Sequence, residues 1–353
     1  EIKREILIGE LTTIRKASLP IFAALGGMIG PIVIFLLINN RTETIGGWGV
    51  PMATDIAFTL GILQLLGRRA PISLKIFLTA FAIIDDIGAV LVIGLFYSSE
   101  LQFNLILYSL AIWITLLIMS GLFKFYSKYI FLIAGFVIWV LLLKSGIHPT
   151  ISGIMLAFTI PVQQKKKVQE FIREIEAEKN ILCERDPVNE KGFLTHRQLE
   201  AANNLDDAAT AIKSPLQHLE TKLHGWVSMI IIPLFALSNA GITFSREMFA
   251  NINLSLAIAF GLILGNVIGI TLLSFTALKL KIADLPEKTT FRHIFSVSFL
   301  GGVGFTMSLF ISNLAFTDEV FINAAKLGIL AGSLIAGILG YLMVRSLCPE
   351  CDR

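Results

Sequence analysis

The chain has 353 residues, 55% of them hydrophobic and only 16% charged, with a mean hydropathy of +0.76 and a formal net charge of +3. Soluble globular domains carry charge on about a quarter of their residues, so this composition excludes a soluble enzyme and defines a polytopic membrane protein. With no basic-aromatic stripe and no nucleic-acid module, the small positive balance excludes nucleic acid as a partner.

The chain starts at Glu1 with charged residues, without a Met or an apolar signal region, and reads as entered partway through a longer sequence. Apolar runs of about 18–25 residues, the length a helix needs to cross the hydrocarbon core, then recur with short polar joints. Ten spans are predicted, at about 17–38, 49–66, 72–97, 103–123, 129–146, 147–162, 224–241, 252–279, 291–315 and 321–346. Ten spans place the chain start, the even-numbered joints and the C-terminus on one side. That side collects Lys3, Arg4, Arg15, Lys16, Arg68, Arg69, Lys75, Lys279, Lys281 and Lys288 among others, whereas the opposite side has Arg41, Lys144, Arg246 and Lys326. The positive-inside rule assigns the rich side to the cytoplasm.

Two predicted spans contain helix breakers. Residues 46–55 read G-G-W-G-V-P-M-A-T-D and residues 301–306 read G-G-V-G-F-T. Irregular backbone at membrane depth is tolerated only where protein or a water-filled cavity satisfies its N–H and C=O groups. Each break lies in the middle span of a triplet, about 17–97 and about 252–346, and the two triplets start on opposite sides. The expected fold is therefore an all-α polytopic membrane protein, an inverted-repeat secondary transporter with two broken, crossing helices and an ion site at their junction. Three parts follow: 1–162 with the first triplet, a charged cytoplasmic insertion at 163–222, and 223–353 with the second triplet. Within the insertion, Val168, Phe171, Ile172, Ile175 and Leu182 have helical spacing, and a weaker pattern runs from Asp206 to Leu223.

Asp85 and Asp86 lie mid-span with Ile on either side and no basic neighbour. A carboxylate at bilayer depth is costly, and a second beside it adds repulsion, so a purely structural role explains the pair poorly. Neighbours on a helix diverge by about 100°, so one can face a cavity while the other meets a neighbouring helix. The pair titrates as one coupled unit. Protons and a hard cation would compete for its oxygens, for the Thr54 hydroxyl and for carbonyls freed at the break, ligands suited to Na+ or Li+. Asp55 follows the Pro51 break, where a carboxylate offsets the positive ends of half-helices. Ala82, Gly88, Ala89, Gly301, Gly302, Gly304 and Ser308 permit close packing around this region. Cys348 and Cys351 form a terminal C-P-E-C with only Cys183 elsewhere, so neither a disulfide framework nor a resident metal is expected, and no cofactor is implied.

The runs G-W-G-V-P-M-A-T-D-I-A-F-T-L-G at 47–61, L-K-I-F-L-T-A-F-A-I-I-D-D-I-G-A at 74–89, L-K-S-G-I-H at 143–148, I-P-L-F-A-L-S-N-A-G at 232–241 and G-V-G-F-T-M-S-L-F-I at 302–311 closely resemble the NhaA-type bacterial Na+/H+ antiporters. That family is itself a known example of the inverted-repeat design. The resemblance implies exchange of Na+ or Li+ for H+ across a bacterial inner membrane, in sodium and pH homeostasis, with the lipid bilayer as surroundings. It implies Asp86 as the central cation and proton ligand, Asp85 as its partner, and Thr54 and Asp55 in the crossed-helix assembly. Glu1, Glu5, Glu220, His224 and His148 match positions linked to pH response. The family has about twelve helices and a dimer hairpin in the region before Glu1, so it implies a homodimer that is weakened where that region is missing. The family also has a lysine in place of Asn266, which would pair with Asp85 and balance the half-helix ends. Without it, Asp85 is expected to carry its own proton, or else the coupling is altered or transport is impaired.

Other readings are separated by pattern. An intramembrane aspartyl protease places its carboxylates on separate helices, and no P-loop, metal-protease or dinucleotide signature appears, so no enzyme is expected. The alternative is a cation channel or a sodium-coupled organic-anion symporter of related architecture.

Overall fold

The computed structural model describes residues 2–7, 12–39, 42–67, 69–97, 101–163, 168–183, 194–241 and 251–347. The N-terminal Glu1 and the Cys348–Cys351 pair lie outside them. Every regular element among the described residues is a helix, as hydrocarbon demands of a backbone that must satisfy its own polar groups. The elements are α1 (Ile2–Leu7), α2 (Ile14–Ile38), a 3₁₀ helix (Thr42–Met52), α3 (Ile56–Leu65), α4 (Ile72–Phe96), α5 (Phe103–Gly121), α6 (Lys128–Ser145), α7 (Thr150–Thr159), α8 (Val168–Leu182), α9 (His196–Ile212), α10 (Pro215–Trp226), α11 (Ile232–Ala240), α12 (Ile252–Phe260), α13 (Asn266–Lys279), α14 (Phe291–Gly301), α15 (Phe305–Ala315) and α16 (Glu319–Leu347).

With α10 and α11 joined through a π turn at Val227–Ile231, and α12 and α13 through one at Gly261–Gly265, seven helices among the described residues are long and apolar enough to cross a membrane, or eight if the bent pair α14 and α15 is one span. The difference from ten lies in three places. The second and ninth spans are broken: the second is the 3₁₀ helix followed by α3, and the ninth is α14 and α15, bent by 47°. The sixth is present only as the ten-residue α7, about 15 Å long against a core of about 30 Å. Gly146, with φ of +83°, breaks the chain before it, and Pro161 disfavours helix beyond Ile160.

The chain forms two compact units, Glu1–Phe103 with Leu142–Ile151 and Ser228–Arg353, and Asn104–Leu141 with Ser152–Val227. In the first unit, α2 packs against α13 along glycines. A Cβ on Gly26 would strike Gly269 backbone, one on Gly30 would strike Gly265, and one on Gly265 would strike Pro31. The pairing 26 with 269 and 30 with 265 is that of antiparallel helices with G-x-x-x-G on both faces. One buried apolar cluster, including Leu63, Phe81, Ile270 and Leu300, lies around α2, α3, α4, α13 and α14. A second, including Phe35, Val50, Leu262, Leu309 and Ile329, lies around the 3₁₀ helix, α12, α15 and α16.

In the second unit the Trp113 indole N–H donates to the Met155 carbonyl at 2.6 Å, joining α5 to α7, and Gly135 of α6 leaves room for Leu156. Helices α8 and α9 are linked by Asn204 Nδ2 donating to Glu178 Oε1 at 3.0 Å. Thr195 caps α9 reciprocally with Gln198, and Gln198, Ala201 and Ala208 are buried. The weaker helical pattern is divided by Pro215, which starts α10.

Candidate ion site at the helix crossing

Pro51 cannot donate to an α-helical ladder, and the chain from Ala53 to Asp55 is non-helical between the 3₁₀ helix and α3, with Asp55 extended. Tyr97 pins the preceding segment, its hydroxyl donating to Gly46 O at 2.8 Å and accepting from Gly49 N–H at 3.2 Å. In the other broken span, Gly302, Val303 and Gly304 separate α14 from α15. A Cβ at Gly304 would lie 2.5 Å from the Ala53 carbonyl oxygen, so glycine is what lets the two breaks meet.

The breaks satisfy one another's backbone. Asp55 N–H donates to Val303 O at 2.6 Å, Thr54 Oγ1 donates to Gly301 O at 2.9 Å, and Thr59 Oγ1 donates to Leu300 O at 3.1 Å. The Asp55 carboxylate accepts from Phe58 N–H in the first turn of α3 at 3.2 Å and from Thr306 N–H in the first turn of α15 at 3.0 Å, and also from the Thr306 hydroxyl. One buried negative charge thus sits at two helix N-termini, where the amides are otherwise unpaired and the dipole ends are positive. From α16, Ser333 Oγ accepts the Gly304 N–H at 3.2 Å.

Asp85 of α4 faces this junction: its Oδ2 accepts the Thr54 N–H at 3.2 Å. Asp85 is 1% exposed, and its Oδ1 accepts no hydrogen bond from the described residues. Asp86, the next residue round the helix, is half-buried. Phe81, one turn before Asp85, lies against Gly27 and Gly301.

Asn266 is fully buried on α13. It follows a π turn, Gly261–Gly265, and its Nδ2 donates to the Leu262 carbonyl within that turn at 3.1 Å. Its Oδ1 lies beside Gly27 and, like Asp85 Oδ1, accepts no hydrogen bond from the described residues. Thr54 and Asp85 are therefore joined by a hydrogen bond, Asp55, next to Thr54 in the chain, is bonded instead to Val303, Phe58 and Thr306, and Asn266 lies in the same unit without such a bond to them.

The residues matched to pH response are dispersed. Glu5 of α1 pairs with Arg4 at 2.9 Å. His148 is half-buried, with Nδ1 at 2.8 Å from Thr150 Oγ1 and its ring edge-on to Phe310. Glu220 lies on α10 in the second unit. Glu1 and the His224 side chain lie outside the described residues.

Residue-by-residue reading missed Thr59, Thr306 and Ser333. Thr59 is one helical turn after Asp55, so the period of 3.6 would have placed both on one face. Thr306 follows the second break much as Asp55 follows the first. Ser333 carries no local signal, because its role depends on where α16 packs.

Spanning helices, two mutually completing breaks and a buried carboxylate at their crossing define a polytopic membrane protein of the inverted-repeat transporter class. The chain belongs to the Na+/H+ antiporter 1 family, whose model matches residues 1–344. It is 45% identical to a Na+/H+ antiporter NhaA of Bacteroides fragilis over 99% of this chain and 80% of that protein. Proteins of the same name from Parabacteroides distasonis and Sulfurimonas denitrificans are 42% and 43% identical, over 99% and 100% of this chain and 79% and 80% of their own lengths.

Proposed function

We propose that the protein is a secondary active transporter exchanging Na+ or Li+ for H+ across the bacterial inner membrane, with its C-terminus in the cytoplasm. The observation that carries this reading is the buried Asp85 carboxylate at the crossing of two broken helices, with Oδ2 on the Thr54 N–H and Oδ1 accepting nothing from the described residues. A buried carboxylate oxygen without a donor is costly unless a proton or a cation meets it. The two are mutually exclusive occupants, and that exclusion is what couples opposite fluxes.

Asp86, half-buried and one step round α4, is the central ligand, with Asp85 as its partner and the Thr54 hydroxyl as a neutral oxygen nearby. Asp55 holds the two half-helix ends together and does not need to touch the cation, because its oxygens already accept three hydrogen bonds. Alternating access follows from a break whose halves tilt about this crossing while the central bonds persist. Glu5, His148 and Glu220, with Glu1 and His224, set the pH response. A channel would need no proton occupant, and an organic-anion symporter would need cationic groups lining a pocket; neither is favoured by a site built on carboxylates.

The test is Na+-triggered proton movement in proteoliposomes, with Asp86→Asn as control. Proton release that requires Na+ and vanishes in Asp86→Asn supports the reading. Na+ flux without proton movement would establish a channel instead.

A further inference from the structure

Apart from the crossing, the first unit contains a cavity of about 890 Å³ between the start of α2, the start of α4 and the loop before α14. The loop is a fixed wall. Lys281 and Lys288 bracket it with φ of +55° and +56°, a left-handed conformation that β-carbon-bearing residues seldom adopt. Ser18 Oγ donates to Ile282 O at 2.9 Å, Ser73 Oγ to Glu287 O at 2.6 Å, and Arg15 Nε pairs with Asp284 Oδ2 at 2.7 Å. The loop is thus tied to both α2 and α4 while the cavity stays open between them.

The lining carries both signs: Arg15, Lys16 and Lys288 with Asp284 and Glu287. One wall is apolar and continues outward, because Ile72 and Ile76, one turn apart on α4, line the cavity and yet are 75% and 39% exposed. Exposed Leu280 and Ile282 alternate with Lys279 and Lys281, and exposed Leu285 follows in the same loop, a mixture of apolar and basic side chains suited to the depth of lipid head groups. A purely anionic guest would face Asp284 and Glu287, and a simple cation would face three basic groups. A guest bearing both charges, with a hydrocarbon tail, matches all three features.

We propose that this cavity binds the head group of a zwitterionic, primary-amine phospholipid. The phosphodiester lies among Arg15, Lys16 and Lys288, the ammonium donates to Asp284 and Glu287, and an acyl chain follows Ile72 and Ile76. The Arg15–Asp284 pair is exposed, with 72% and 64% of each side chain accessible. Such pairs are weak and can exchange partners with the head group.

The experiment is lipid retention by the full-length protein in native mass spectrometry, using dioleoyl phosphatidylethanolamine, phosphatidylcholine and phosphatidylglycerol as probes and inorganic phosphate as competitor. Phosphatidylethanolamine is expected to be retained about tenfold better than phosphatidylcholine, whose quaternary ammonium has no N–H to donate. The double variant Asp284→Asn, Glu287→Gln is expected to erase that preference, and Lys288→Gln to weaken retention of both lipids. Equal retention of the two lipids by the wild-type protein, which requires no variant to fold, would overturn the proposal. So would stronger retention of phosphatidylglycerol, displacement of lipid by inorganic phosphate, or an unchanged preference in the double variant.

Discussion

The Asp55 carboxylate accepts both the backbone N–H of Thr306, at 3.0 Å, and the Thr306 side-chain hydroxyl, across 251 residues of sequence. The same carboxylate caps its own helix through Phe58 N–H, and the Asp55 N–H goes to Val303 O. Two interrupted helices are therefore held at one charged group, and severing it should loosen both.

Asp55→Ala is expected to lower stability by roughly 2–4 kcal/mol, since it removes hydrogen bonds to an ionised acceptor and leaves two buried helix ends uncompensated. Thr306→Val keeps the backbone N–H and removes only the hydroxyl, so about 1 kcal/mol is expected. Thermal unfolding in detergent measures both. A Thr306→Val loss as large as that of Asp55→Ala would contradict this ordering.

Thr54 has a split role, its N–H on Asp85 and its hydroxyl on Gly301 O. Thr54→Ser keeps both donors, whereas Thr54→Val keeps only the first. Thr54→Val is expected to raise the Na+ concentration for half-maximal exchange about tenfold, equivalent to about 1.4 kcal/mol, with Thr54→Ser near wild type. If serine does not rescue, the hydroxyl is not the relevant group.

If Na+ and protons compete for the Asp85 and Asp86 oxygens, as proposed, the pH dependence has a definite sign. Protons occupy the site as pH falls, so the apparent Na+ affinity weakens with acidification. The half-saturating Na+ concentration should rise by about tenfold per pH unit for each proton displaced, once the site is mostly protonated. Exchange rates measured across Na+ titrations at several pH values give the slope, and a flat profile would exclude shared ligands.

Among the described residues Asp85 forms no ion pair, and Asn266 carries no charge. If Asp85 carries its own proton, Asn266→Lys supplies a rival positive charge and should change how exchange depends on membrane potential. Transport in proteoliposomes under imposed potentials compares the two proteins. Identical dependence would mean that position 266 does not set coupling.

The α2–α13 contact leaves no room for a β-carbon. Gly269→Ala would place one against the Gly26 carbonyl, and Gly265→Ala against Pro31, so each should cost about 1–3 kcal/mol by overpacking. At Gly61 of α3 a Cβ meets nothing within 4 Å, and Gly61→Ala should be neutral or stabilising by up to about 1 kcal/mol. Thermal midpoints of the three variants decide the point.

The membrane class, most spans and the position of both breaks were legible because they rest on local quantities. Long apolar runs force helices in hydrocarbon, and Gly and Pro at 46–51 and 301–304 interrupt them wherever the rest of the chain lies. Asp85 and Asp86 were legible as functional candidates for a similar reason, since the cost of a carboxylate in an apolar span does not depend on its neighbours being known. Tertiary structure decided everything that is relational. It set which amides Asp55 caps, that Thr54 presents its N–H to Asp85 and its hydroxyl to Gly301, and that Asn266 donates to a carbonyl inside a π turn. It also revealed the glycine seam between α2 and α13, whose two G-x-x-x-G faces have meaning only once they oppose each other. Hydrogen bonds and close backbone approach act over a few ångströms, and residues 250 positions apart come within that range only when the chain has folded.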